Sequence, residues 1–289
     1  MTAAAEESVR KGIVLLSMLV IATAAGLAAR WAGGAPERIL LTAGPTGLSG
    51  PAAAGSGYVR LGLHNTSDSM LAYELVRLGE GVDEADGMRA VRVMSRLESG
   101  DSSAARARVG GFYGGPVYVG PGETKWVGTT LPPGRYVAYA AVIAPQGPPV
   151  LHDGFLAGLE LRAARSAAAE PAPAHLLTML DFRFEAPRTV RAGRALWRVE
   201  NRGQASHLAF FAKLRPGKTF DDLKAGFAAG RGGPPDAIDP AVGIRGVHAL
   251  TRGLFNDVEL DLTPGMWVIG CIIDGHHVLG MLRPLEVTR

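Results

Sequence analysis

The stretch WVIGCIIDGHHVLGM, residues 267–281, holds the chain's only cysteine and its most chemically suggestive spacing. Cys271, His276 and Met281 stand as C-x4-H-x4-M, and His207 lies upstream at the start of the apolar run SHLAFF. A soft thiolate and two imidazoles make a trigonal donor set for copper, and a thioether at longer range adds a weak axial donor. Thiolate and thioether suit Cu(I), whereas imidazole suits Cu(II). A site that satisfies both states with little movement can pass single electrons. Taken singly, each residue has a plainer role, since buried cysteine and methionine are common core residues and a lone histidine can be a hydrogen-bonded one. Order and spacing together point to copper.

Positioning these donors requires strands. Cys271 would end one strand, Met281 would begin the next, and the short loop between them would carry His276 back toward the cysteine. His207 must arrive from a neighbouring strand. Leu180, Phe182 and Phe184 alternate, as do Ala195, Trp197 and Val199, and later Val258, Leu260 and Leu262, which is the period of half-buried strands. Ala192-Gly193, Asn201-Arg202-Gly203 and Pro264-Gly265 supply the turns. Short strands with this punctuation predict an all-β Greek-key sandwich or barrel. One helix interrupts it: Thr219 and Asp222 form a capping-box start, Phe220, Leu223 and Phe227 the apolar stripe, and Gly230 the stop.

The pattern occurs twice. With residues 59–81 laid over 195–217 without gaps, Leu61 falls on Trp197, Leu63 on Val199, Asn65 on Asn201 and Gly81 on Gly217. Leu131–Tyr136 likewise parallels Leu262–Trp267. Two copies of one β fold are expected, at 38–162 and 176–289, separated by an Ala/Pro linker at 163–175 in which His175 is solvated. Under the repeat, His207 corresponds to Leu71, Cys271 to Ala140, and Met281 falls near Leu159, so the first copy is metal-free. His64 and His152 remain there without a thiolate. The acidic group Glu80, Asp83, Glu84 and Asp86 reads as a helix start.

Residues 1–37 read as a membrane anchor or signal plus tether. Residues 12–29 carry no charge, with Arg10-Lys11 before them and Arg30-Trp31 after, which suits a single-pass anchor with its amino end inside. Leu27-Ala28-Ala29 would also suit signal cleavage. Both readings place the later residues on the extracytoplasmic face, periplasmic or outer. One cysteine excludes an intrachain disulfide and a cysteine-rich zinc motif. Scattered arginines, a net charge of +3 and 7% aromatic residues leave no nucleic-acid footprint.

The loop resembles that of the cupredoxins, the blue-copper proteins, most closely the members with C-x3-G-H-x3-G-M such as auracyanin and rusticyanin. Here that motif is Cys271, Gly275-His276 and Gly280-Met281. Upstream, DFRFEAP, then Ala192-Gly193, then a strand ending in Asn201-x-Gly203 before His207 also fit. The resemblance covers about residues 176–289. It implies His207, Cys271 and His276 as in-plane ligands of one type 1 copper, Met281 as the axial one, and electron transfer without substrate turnover. His277 adjoins His276 and could ligate instead; His276 is preferred because it follows the glycine and keeps the family spacing.

These readings predict a membrane-tethered electron carrier, not an enzyme. Its copper would face a redox protein such as a cytochrome or terminal oxidase. The alternatives are a non-redox accessory or assembly subunit of a membrane complex, and a copper delivery or storage protein. Resemblance to the copper oxidases would imply paired His-x-His motifs, which the chain lacks.

Overall fold

The computed structural model describes residues 34–95, 100–143, 150–163, 168–229 and 236–289. The apolar segment 12–29 and Gly230 lie outside them. Among the described residues no helix is long and apolar enough to cross a membrane.

Among the described residues, the first half contains nine strands and two helices. The strands are β1 (Glu37–Gly44), β2 (Gly47–Ser49), β3 (Ala53–Gly55), β4 (Gly57–Asn65), β5 (Leu71–Leu78), β6 (Val109–Phe112), β7 (Thr124–Leu131), β8 (Gly134–Val142) and β9 (Val150–Arg162). Helices α1 (Glu84–Met94) and α2 (Ser102–Ala107) lie between β5 and β6. The second half runs β10 (His175–Leu180), β11 (Arg183–Glu185), β12 (Thr189–Arg191), β13 (Gly193–Asn201), β14 (His207–Lys213), α3 (Phe220–Ala228), β15 (Ile244–Leu250), β16 (Phe255–Leu262), β17 (Gly265–Gly270) and β18 (Leu282–Thr288). The protein is therefore mostly β rather than all-β. The three helices begin where side chains satisfy the first backbone N–H groups. Asp83 caps α1, Asp101 caps α2, and Thr219 with Asp222 forms a complete capping box on α3.

Both halves use one topology. The five-stranded sheets β3-β9-β8-β5-β6 and β12-β18-β17-β14-β15 have matching orders. On the other face, β1 runs parallel to β4 with Ile39 opposite Leu61, and β10 runs parallel to β13 with His175 opposite Trp197. Asn65 and Asn201 end equivalent strands and do equivalent work. Asn65 Nδ2 donates to the carbonyls of Ser69 and Val119, and Asn201 Nδ2 to those of Ala205 and Leu250. Both asparagines are fully buried, and each ties one part-buried loop carbonyl to one buried carbonyl.

The two halves share a sheet. Its order is β11-β10-β13-β16-β7-β4-β1-β2, with Val258 of β16 opposite Val127 of β7. Polar contacts reinforce this seam. Arg198 holds the buried Asp257 with two bonds of 2.8 Å, and Tyr58 donates to the same carboxylate at 3.0 Å. Asn256 donates to the carbonyl of Tyr113 and accepts from the N–H of Gly115. Glu74, fully buried in β5, accepts from the N–H groups of Gly114 and Ala249 and pairs with His248 of β15. Burial pushes the Glu74 carboxyl above its ordinary value, against the opposing pull of His248 and the two N–H groups.

His175 is not a solvated linker residue. It opens β10, and its ring packs 4.6 Å from that of Trp197. Burial lowers its pKa. The core beneath the Cys271–Met281 loop is aromatic: Trp197 packs edge-on against Phe211 at 5.3 Å, and Phe210 and Trp267 are fully buried. Each such side chain contributes about 1.5–3 kcal/mol by leaving water. That packing fixes β14 and β17, the two strands that end at the donors.

Candidate metal centre

His207 is the first residue of β14, and Cys271 follows the last residue of β17. The two strands are antiparallel neighbours, with Phe210 opposite Gly270, so both donors emerge at one end of the sheet. Gly270 is required by that approach, because a Cβ there would lie 2.3 Å from the Phe210 ring.

After Cys271 the chain makes a single 3-10 turn, Ile273–Gly275, and His276 follows it. Two backbone bonds close the loop. Cys271 N–H donates to the Met281 carbonyl, and Met281 N–H to the His276 carbonyl, both at 3.0 Å. Gly275 and Gly280 take left-handed φ values of +81° and +124°, which side-chain-bearing residues rarely adopt.

The resulting cluster is tight. One ligand atom each from His207, Cys271 and His276 all lie within 4.8 Å of one another. His207 Nδ1 is 3.0 Å from His276 Nδ1, and Cys271 Sγ is 3.6 Å from the latter. With metal–nitrogen bonds of about 2.0 Å and metal–sulfur bonds of about 2.3 Å, donors on one ion at roughly 100–120° stand about 3.1–3.7 Å apart. The observed spacings fit a shared ion. His207, Cys271 and Met281 are fully buried and His276 is partly so. A buried thiol next to two imidazole nitrogens is a soft, water-poor donor set that suits copper.

The structure brings His276 rather than His277 to the cluster. The His277 ring instead packs 4.9 Å from Phe227 of α3. Its Nδ1 is buried without a hydrogen-bond partner, and burial lowers its pKa.

Two residues behind the cluster carried no signal of their own in the sequence. Asp181 Oδ1 lies 3.0 Å from His207 Nε2, on the far side of that ring from the cluster. Its carboxylate also accepts from the N–H groups of Gln204 and Ala205, and these bonds, with the one from His207, hold its pKa down at about 2. Phe182, at φ +62°, presents its ring edge-on to His276 at 5.3 Å and to His207 at 6.4 Å. In sequence both fall within the Leu180–Phe184 alternation and read as one strand, which the structure breaks with a turn at 181–182.

The first half has no such set among its described residues. Leu71 opens β5 where His207 opens β14, and Ala140 stands where Cys271 stands. Tyr139 pairs with Leu156 as Gly270 pairs with Leu282. Phe155, rather than Leu159, therefore occupies the place of Met281, because β9 is set differently from a gapless alignment. His64 is hydrogen-bonded to Thr124, and His152 packs on Phe155.

No family model matches the chain, and no curated protein does. Solved structures similar to it include a dithionite-reduced auracyanin from Roseiflexus castenholzii, 18% identical over 39% of this chain and 95% of that one, with a TM-score of 0.29. Across both halves it is similar to a copper nitrite reductase from Nitrosomonas europaea, 13% identical over 88% of this chain and 95% of that one, TM-score 0.26. A blue copper oxidase from the same organism is 12% identical over 88% and 86%, TM-score 0.24. Identities and scores this low carry no argument about activity. Strand order and register show two copies of one β architecture, joined through a shared sheet. The chain's His207, Cys271 and His276 donors form a set that suits a single type 1 copper site.

Proposed function

We propose that this protein is a membrane-tethered, extracytoplasmic electron carrier built from two tandem cupredoxin-like domains, 38–162 and 176–289, with one copper in the second. The observation that carries the reading is the convergence of His207 Nδ1, His276 Nδ1 and Cys271 Sγ. Met281 would complete the donor set with its thioether. When bound, copper supplies a one-electron couple, Cu(II)/Cu(I), filled by a reduced donor protein and emptied into an oxidised acceptor. The protein's residues hold the donors in one arrangement for both states. The backbone bonds of the Cys271–Met281 loop fix His276, β14 fixes His207, and the aromatic packing beneath excludes water.

His276 is the donor nearest the surface. Val278 and Leu279 beside it are 75% and 60% exposed, and Phe182 is 39% exposed. This apolar rim suits brief contact with a redox partner such as a cytochrome or terminal oxidase. The uncharged segment 12–29 would keep the site close to such a partner in the membrane.

A second reading, an accessory subunit of a membrane complex, is favoured by one observation: a complete first half that retains the fold and lacks the donors. The two readings separate on the visible and spin-resonance spectra of the purified full chain with one equivalent of Cu(II). Intense blue absorption supports the carrier. A folded protein that stays colourless supports the accessory role. Copper that binds but passes rapidly to a chelator points to delivery or storage.

A further inference from the structure

We propose that Asp181, which lies outside the donor set, strengthens His207 as a copper donor and holds the reduction potential of the site down. The inference rests on the copper reading above.

Asp181 sits in the two-residue turn between β10 and β11, where Leu180 pairs with Arg183. His207 turns Nδ1 toward His276 and Cys271, so the ring must carry its proton on Nε2 to serve as a donor through Nδ1. That Nε2–H points at Asp181 Oδ1, 3.0 Å away. The carboxylate is itself held in place by Gln204 N–H at 2.9 Å and Ala205 N–H at 3.0 Å. A carboxylate behind a ligating imidazole fixes its tautomer and raises its basicity. Its negative charge also favours the more positive ion, Cu(II) over Cu(I).

Two further features tie this arrangement to the metal. Gly203 leaves just enough room for it: a Cβ there would lie 2.5 Å from Asp181 Oδ1 and 2.9 Å from His207 Nε2. The donor-free half lacks the arrangement altogether. Gly44 pairs with Gly47 across the equivalent turn, which places Pro45 at the position of Asp181. Histidine and carboxylate are present together in one half and missing together in the other.

The test uses the full chain and its D181N and G203A variants, loaded with Cu(II). Reduction potential is measured beside the visible and spin-resonance spectra. D181N removes the charge. G203A keeps it but wedges the carboxylate from the ring, and it serves as the probe if D181N does not fold. We expect both variants to stay blue and to shift preference toward Cu(I) by about tenfold, an upward move of about 59 mV. A purely structural role for Asp181 would lower thermal stability and leave the potential unmoved. Blue wild type and blue variants with equal potentials would therefore overturn this inference alone. A wild-type chain that never turns blue would overturn the copper reading and this inference with it.

Discussion

His207 Nδ1 and His276 Nδ1 face each other across 3.0 Å although 69 residues separate them in the chain. Two imidazoles in that pose need either a shared proton or a shared ion between them. The Cys271 sulfur, 3.6 Å from His276 Nδ1, adds a third lone-pair donor to the same space. A proton satisfies two of these atoms; a soft metal ion satisfies all three.

Replacing the thiolate donor removes the colour. Cys271→Ser should abolish intense visible absorption in Cu(II)-loaded protein while leaving the far-ultraviolet circular dichroism unchanged. The hydroxyl fits the space of the thiol but is a poor soft donor. Persistence of the blue band would falsify the assignment of Cys271 as a ligand.

The neighbouring histidines should separate cleanly. His276→Ala is expected to weaken Cu(II) binding more than 100-fold, beyond the roughly 10–100-fold cost of losing a group that merely supports a ligand. His277→Ala should keep both colour and affinity. It loses only the packing against Phe227, about 0.5–1.5 kcal/mol of stability. Isothermal titration and urea unfolding distinguish the two, and the reverse pattern would exchange their roles.

Met281→Leu should retain copper and raise its reduction potential, because an apolar axial position disfavours Cu(II). A tenfold change in preference corresponds to about 59 mV. Voltammetry of wild type and variant side by side reads this directly, and identical potentials would remove the Met281 thioether from the site.

The ion pair beside the seam should be costly to break from one side. Arg198 is 18% exposed and Asp257 only 1%. Arg198→Met would leave a buried carboxylate without its cation, a loss of about 3 kcal/mol in urea unfolding. The double variant Arg198→Met/Asp257→Leu should recover most of it, since the uncompensated charge is gone. Equal destabilisation in single and double variants would show that packing, not charge, dominates there.

Much of this was legible in sequence because it is local. The donor loop spans residues 271–281, and strand phase around Asn65 and Asn201 survives as period-two alternation. The helix start at Thr219 is a four-residue signal and appears as the capping box of α3. What stayed hidden depends on distant pairing. Tyr58 and Asp257 meet across 199 positions, and Glu74 and His248 across 174. No window of periodicity contains either pair. His175 read as linker because its partner, Trp197, is 22 residues on and supplies the strand that makes it β. Asp181 read as part of one alternating strand until the fold put a turn there and set an imidazole behind it.

The backbone pairing of Val127 with Val258 restricts how the molecule can search for a partner. Proteins whose modules hang on a supple joint can sweep one module through space while the other stays put. Here ladder hydrogen bonds and the Tyr58–Asp257 bond remove the joint. The copper-type pocket must be aimed by tumbling of the whole body, at an orientation that the donor-free half helps to set.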